Sequence, residues 1–196
     1  MCKKIAGLFF VLFSLIFTSQ ADVFAEVKEY KLDPVQSEIK FNVRATVYTI
    51  HGKASPAESK VSFDAGKGEV TLPMQVEIPV DSMTTKNKLR DRDMRKMFDS
   101  KRYPVISWTA ENVECGATEA DQTLTCNATG VLKIHGVEKK AVFPVLLKVE
   151  SGRVLASGSL SLKREDYGLK TPSMLGLIRV SQDVHLEFRT VWTSES

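Results

Sequence analysis

Apolar and polar residues alternate with a period of two along most of this chain. From Ile39, the odd positions Phe41, Val43, Ala45 and Val47 are apolar, and Glu38, Lys40, Asn42, Arg44 and Thr46 fill the even ones. Successive side chains of a strand point to opposite faces, so this segment predicts a long strand with one buried face. Val70, Leu72, Met74, Val76, Ile78 and Val80 repeat the pattern, and the interleaved Pro73 and Pro79 predict an edge, a bulge or a bend there. Further strands are predicted over 131–134, 141–149, 155–162 and 184–192. Turn residues separate them at Ala65-Gly66-Lys67-Gly68, His135-Gly136 and Ser151-Gly152. The spacing predicts an antiparallel sheet, closed as a barrel or stacked as a sandwich. There is no heptad run, internal repeat or second domain.

Thr84 to Arg102 breaks the alternation. It is rich in helix formers, and Met94, Met97 and Phe98 fall at i, i+3 and i+4, on one face of a helix. Tyr103-Pro104 ends it, because the residue before proline is pushed out of the helical region. Lys86, Lys88, Arg90, Arg92, Arg95, Lys96, Lys101 and Arg102 outnumber Asp91, Asp93 and Asp99. A solvated face with local ion pairs explains that balance. The sharper reading is a docking face for an anionic membrane surface or head group, made by Lys86, Lys88, Arg92, Arg95 and Lys96.

The first 25 residues read as a segment outside the fold. Lys3 and Lys4 precede an apolar run from Ile5 to Phe17, and small residues follow at Ser19-Gln20-Ala21 and Val23-Phe24-Ala25. This is the layout of a cleavable secretory signal, with an apolar run short for a spanning helix. The reading gives a folded domain over 26–196 and a periplasmic location. It also decides the cysteines, because Cys2 lies in the signal and Cys115 and Cys126 remain. They flank a small polar segment resembling a hairpin loop, so in an oxidising compartment they are expected to form a disulfide.

The chain has 196 residues, 43% hydrophobic and 26% charged, with a net charge of +3. That composition excludes intrinsic disorder, and the modest charge gives no footprint for nucleic acid. Catalytic motifs are scarce. His51, His135 and His185 are far apart, no P-loop, dinucleotide fingerprint or Gly-x-Ser-x-Gly elbow occurs, and no metal site is expected. Glu165 and Asp166 adjoin Arg164 and are expected to be salt-bridged rather than free bases. Ser181-Gln182-Asp183 with His185 is not expected to converge as a triad, because adjacent strand residues point to opposite faces.

Several segments together resemble the YceI-like family of exported lipid-binding proteins. They are Tyr30-Lys31-Leu32-Asp33-Pro34-Val35-Gln36-Ser37, then Ser82-Met83-Thr84-Thr85 with Arg90-Asp91, and then Phe98 with Tyr103-Pro104. Thr129-Gly130-Val131-Leu132-Lys133-Ile134-His135-Gly136-Val137, Lys163-Arg164-Glu165-Asp166-Tyr167-Gly168-Leu169 and Val180-Ser181-Gln182-Asp183-Val184 complete the series. The order is the family's, over residues 30–190. Gln36 and Ala45 stand where many members have His, and the turn at Gly52 lacks the usual following Phe. The resemblance implies an all-β fold with one inserted helix: an eight-stranded, lipocalin-like antiparallel barrel around an elongated apolar cavity. It implies a polyisoprenoid or other fatty amphiphile as ligand, and no cofactor.

On this reading Ile39, Phe41, Val43, Phe63 and Trp108 face the interior, and Met94, Met97 and Phe98 cap it. Ile134 and Tyr167 are the remaining candidate ligand contacts. A non-enzymatic carrier is the expectation. The alternative is a lipid-modifying hydrolase or isomerase that uses Arg164, Asp166 or His135 in the same cavity. The sequence leaves the oligomeric state open, a homodimer included.

Overall fold

The computed structural model describes residues 27–64, 69–116, 123–170 and 179–194. The signal-like segment 1–25, the 65–68 turn and most of the loop between the cysteines lie outside these residues. Eleven antiparallel strand segments form one sheet: β1 (Val27–Leu32), β2 (Glu38–Ala45), β3 (Thr49–Ala54), β4 (Lys60–Asp64), β5 (Glu69–Val70), β6 (Met74–Pro79), β7 (Val105–Cys115), β8 (Thr123–Ile134), β9 (Val137–Glu150), β10 (Arg153–Lys163) and β11 (Val180–Ser194). One α-helix among the described residues, α1 (Lys88–Met97), follows β6 and a 3-10 turn over Val80–Ser82.

The eight expected strands are therefore not all continuous. Strand β11 pairs with β1 through its C-terminal part and with β2 through the rest; β1 then pairs with β4, and β2 with β3. Thus β1 with β2, and β3 with β4, act as two broken staves. The expected strand over 70–80 is a third. It splits into β5, on β4, and β6, on β7, around a cis peptide between Leu72 and Pro73. Proline has no N–H to give a ladder, which is why the break falls there. Ala57 N–H bonds to the Glu77 carbonyl at 2.7 Å, and Lys53 bridges Thr84, so the barrel is nearly closed.

Alternation sets what faces inward. In β2, Phe41, Val43 and Ala45 are buried while Lys40 and Arg44 are exposed. In β7 the phase changes. Ile106, Trp108 and Ala110 share a face, but a register shift between Ala110 and Asn112 puts Val113 inward next. A bulge of one residue flips all positions beyond it. The β8–β9 hairpin has two residues, His135 and Gly136, at φ 52° and 77°. Positive φ at both central positions is the requirement of a tight hairpin turn, and Gly136 supplies one of them without strain.

Two glycines accommodate aromatic rings. A Cβ on Gly52 would lie 2.1 Å from the ring of Phe41, its cross-strand partner. One on Gly158 would lie 2.6 Å from the ring of its partner Phe188. Each ring lies down over the bare backbone of the next strand instead of standing into the interior.

Cys115 and Cys126 are directly opposite on β7 and β8 and are joined by a disulfide. Closing a loop of this length contributes on the order of 2–3 kcal/mol. Replacing both cysteines with serine should lower stability by about that amount in chemical denaturation, and reductant should reproduce the loss in the wild type.

Candidate functional site

A cavity of about 1040 Å³ occupies the barrel interior. Its deep end is built by Tyr30, Phe63, Leu147, Val154 and Trp192, with Tyr30 and Phe63 in edge-to-face contact at 6.2 Å between ring centroids. Its middle is lined by Trp108, Phe143, Leu160, Leu186 and Phe188. Phe143 touches both Trp108 and Phe188, with centroids 5.1 and 5.7 Å apart. The wall residues that carry amide, carboxylate or guanidinium groups, Asn87, Arg90, Asp93, Arg164, Arg179 and Gln182, gather at the opposite end. Thr190 itself is satisfied deep in the wall: its hydroxyl donates to Ala156 O and accepts from Trp192 Nε1–H at 3.0 Å.

That opposite end is the mouth. It is formed by α1, the 46–48 turn between β2 and β3, the 164–167 turn after β10, and the start of β11. Helix α1 begins at Asn87, whose side-chain oxygen accepts from the N–H groups of Leu89 and Arg90, both at 3.1 Å. The expected helix over 84–102 is therefore shorter at both ends. Thr84 and Thr85 instead serve Asp91. Its carboxylate accepts from Thr84 Oγ1 at 2.8 Å, Thr85 N–H at 2.8 Å and Thr85 Oγ1 at 2.6 Å. The Ser-Met-Thr-Thr…Arg-Asp motif is thus a polar knot that fixes the helix against the barrel.

Desolvation pushes the Asp91 carboxyl up, but the Thr85 and Thr84 donors and Arg95 outweigh it and hold it below its ordinary value. A depressed folded-state pKa adds stability above the unfolded-state value, about 3.9, and loses it as pH falls through the folded-state value. Asp91→Asn should cost about 1–3 kcal/mol at neutral pH. Urea titrations across pH should show the gap between wild type and variant closing below about pH 4.

Ile39, Phe41, Val43, Phe63, Met94, Met97, Phe98, Trp108 and Ile134 all line the cavity. Tyr167 does not. It is buried beside the barrel end, and its carbonyl accepts from His135 Nδ1–H at 3.2 Å. His135 in turn meets Tyr103 edge-on, with centroids 4.8 Å apart. The His-Gly and Asp-Tyr-Gly motifs therefore brace the barrel end rather than line the cavity. Burial pushes the Tyr167 hydroxyl pKa up, with Asp166 adding to the shift.

Of the two carboxylates next to Arg164, Asp166 is in an ion pair, with Lys139 at 3.6 Å, and Glu165 acts on Arg164 through its charge. Arg164 is buried and lines the cavity. It donates to the carbonyls of Ser181 at 2.9 Å and Val180 at 3.1 Å, and its guanidinium lies 3.9 Å from Met97 Sδ. Burial lowers its pKa, although Glu165 works against that. Its role here is to tie the start of β11 to the helix.

Of the mouth residues, Tyr48, Leu89 and Arg179 stand in no motif singled out above, and Arg90 and Gln182 stand in family motifs without an assigned cavity role. They sit in a turn, on the first turn of a helix and beside a strand end, where neither period applies. Of the cations proposed to dock on a membrane, Arg92 pairs with Asp93 at 3.3 Å and Arg95 with Asp81 at 3.1 Å. Ser181, Asp183 and His185 do not form a triad. Ser181 Oγ bonds to Asp183, while His185 meets Ser161 Oγ at 3.2 Å and Glu187 at 3.4 Å. None of the three histidines lines the cavity, and among the described residues no cluster of three His, Cys, Asp or Glu could hold a metal.

Comparisons with known proteins agree with this architecture. A UPF0312 protein of Pseudomonas fluorescens is 26% identical over 150 residues, 72% of this chain and 74% of that protein. A polyisoprenoid binding domain from Saccharophagus degradans superposes with a TM-score of 0.68 at 17% identity, covering 87% of this chain and 100% of that one. BcnA of Burkholderia cenocepacia gives 0.67 at 20% identity, over 82% and 98%. The sequence model of the YceI-like domain matches residues 30–192, so with this barrel and cavity the chain belongs to the YceI-like family.

Proposed function

We propose that this protein is an exported, periplasmic carrier that holds the tail of a polyisoprenoid or similar long-chain amphiphile inside its barrel. The observation that supports this most is the cavity itself: about 1040 Å³, apolar along its depth and open at one polar end. A long tail needs no reactive group to bind. Each 100 Å² of apolar area withdrawn from water contributes roughly 2.5 kcal/mol, enough to offset the ordering of a flexible chain. The Saccharophagus domain of the same fold is described as polyisoprenoid binding, which favours the same ligand class here. Binding is favoured over lipid modification, because among the described residues no His, Cys or Ser lines the cavity, and the lining hydroxyl of Thr85 is committed to the buried Asp91 carboxylate that fixes the helix.

A contact with membrane fits the same picture. Val47, Tyr48 and Leu89 are exposed around the mouth, and Lys86 and Lys88 flank the helix start. A carrier that loads from a bilayer would present this end to it.

Native mass spectrometry of freshly purified protein, followed by solvent extraction, tests the reading. A co-purifying lipid of at least about 15 carbons would support it. Protein that carries no lipid and takes none up from an isoprenoid mixture would overturn it.

A further inference from the structure

The charges at the mouth are not balanced by sign. Among the described residues, four charged side chains line the cavity: Arg90, Asp93, Arg164 and Arg179. Asp93 is engaged by Arg92 Nε at 3.3 Å, and Arg164 is committed to the carbonyls of Val180 and Ser181. Arg90 and Arg179 remain, and both are braced by one short turn. The Arg90 guanidinium lies 5.9 Å above the centre of the Tyr48 ring. The backbone of Arg179 is held by Thr46, whose N–H bonds to its carbonyl at 3.0 Å and whose hydroxyl accepts its N–H at 3.0 Å. The 46–48 turn thus holds the Arg90 guanidinium through the Tyr48 ring and the Arg179 backbone through Thr46, and both side chains line the polar end of an apolar tunnel.

Resting on the carrier reading above, we infer that the ligand has an anionic oxygen head group, phosphate or carboxylate, held at the mouth by Arg90 and Arg179. Guanidinium presents a planar set of donors that matches two oxygens of either group, so both share one recognition chemistry. A neutral head of the same size would cover the two cations without compensating them, and partly desolvated charge without a partner is unfavourable. The apolar tail supplies the bulk of the affinity, and the arginines choose among tails by what they carry.

Full-length protein, purified and stripped of lipid, would be titrated with farnesyl phosphate and farnesol, and separately with palmitate and palmitamide. The inference expects the anionic member of at least one pair to bind about tenfold or more tightly, a difference typical of one charge-assisted contact. The pair with the larger ratio identifies phosphate or carboxylate as the preferred head. Raising salt from about 0.05 to 0.5 M should weaken the anionic member and leave the neutral one unchanged.

Arg90→Gln with Arg179→Gln should bring the ratio to about one, with circular dichroism and a melting curve showing that the variant is folded. Equal affinity within both wild-type pairs would overturn the inference and leave the carrier reading standing. So would a preference that survives in the double variant. Failure of all four compounds to bind would overturn the carrier reading, and the head-group assignment with it.

Discussion

Val43→Trp should empty the barrel of ligand and leave the fold nearly as stable as before. Val43 lies on β2 between Ile50 of β3 and Val184 of β11, and all three line the cavity. Val43 is buried among its strand neighbours and borders the cavity, so an indole there is expected to extend toward the lumen. In a filled core the same change would be overpacking, at a cost of about 1–3 kcal/mol. Here the expected cost is under about 1 kcal/mol, or roughly 2–4 °C in Tm for a chain of this size. Retained lipid should fall at least about tenfold, the loss of roughly 1.4 kcal/mol of binding free energy. Lipid quantification beside a melting curve separates the two cases. A variant that melts far lower and keeps its lipid would show that the tail does not pass this point.

The opposite outcome, a broken fold, is expected from Gly130→Val. A Cβ on Gly130 would sit 2.2 Å from the carbonyl oxygen of Thr109 and 3.0 Å from the Cα of Ala110. Both obstacles are backbone, on the strand paired with it, and immediately before the β7 bulge. No rotamer change relieves such a contact; β7 and β8 would have to separate. A loss above about 3 kcal/mol is expected, with most of the protein insoluble at 37 °C. Gly130→Ala should fail in the same direction by a smaller margin. A soluble Gly130→Val protein with unchanged Tm would show that the two strands are not held this close in solution.

The barrel was legible in the sequence to the extent that alternation ran unbroken. Residues 38–45 and 184–189 show it, because each segment has one face on the cavity and one in water. The breaks were less legible. Alternation carries through Leu72 and Pro73 without a gap, although the ladder passes from β4 to β7 there. The bulge after Ala110 left only a trace, an apolar spacing of three between Ala110 and Val113. The interior wall could be read because period two is a property of the wall. The mouth could not, because Tyr48, Arg90 and Arg179 come together only through long-range contacts between a turn, a helix and a strand end. The family motifs also proved more architectural than chemical: Asp91, His135 and Tyr167 secure the helix and the barrel end.

The contact between Gly52 and Phe41 has a consequence for how ligand preference can diverge within such a barrel. Gly52 itself does not line the cavity, whereas Phe41 does. The three atoms nearest the space that a methyl on Gly52 would take all belong to the Phe41 ring. Adding that methyl would tip the ring off the wall and into the bore, as a baffle partway down the tunnel. The longest admissible tail would then be set by a residue that no ligand touches. Comparing only the lumen-facing positions of two relatives would miss the difference, and a single-base change in a glycine codon would be enough to produce it.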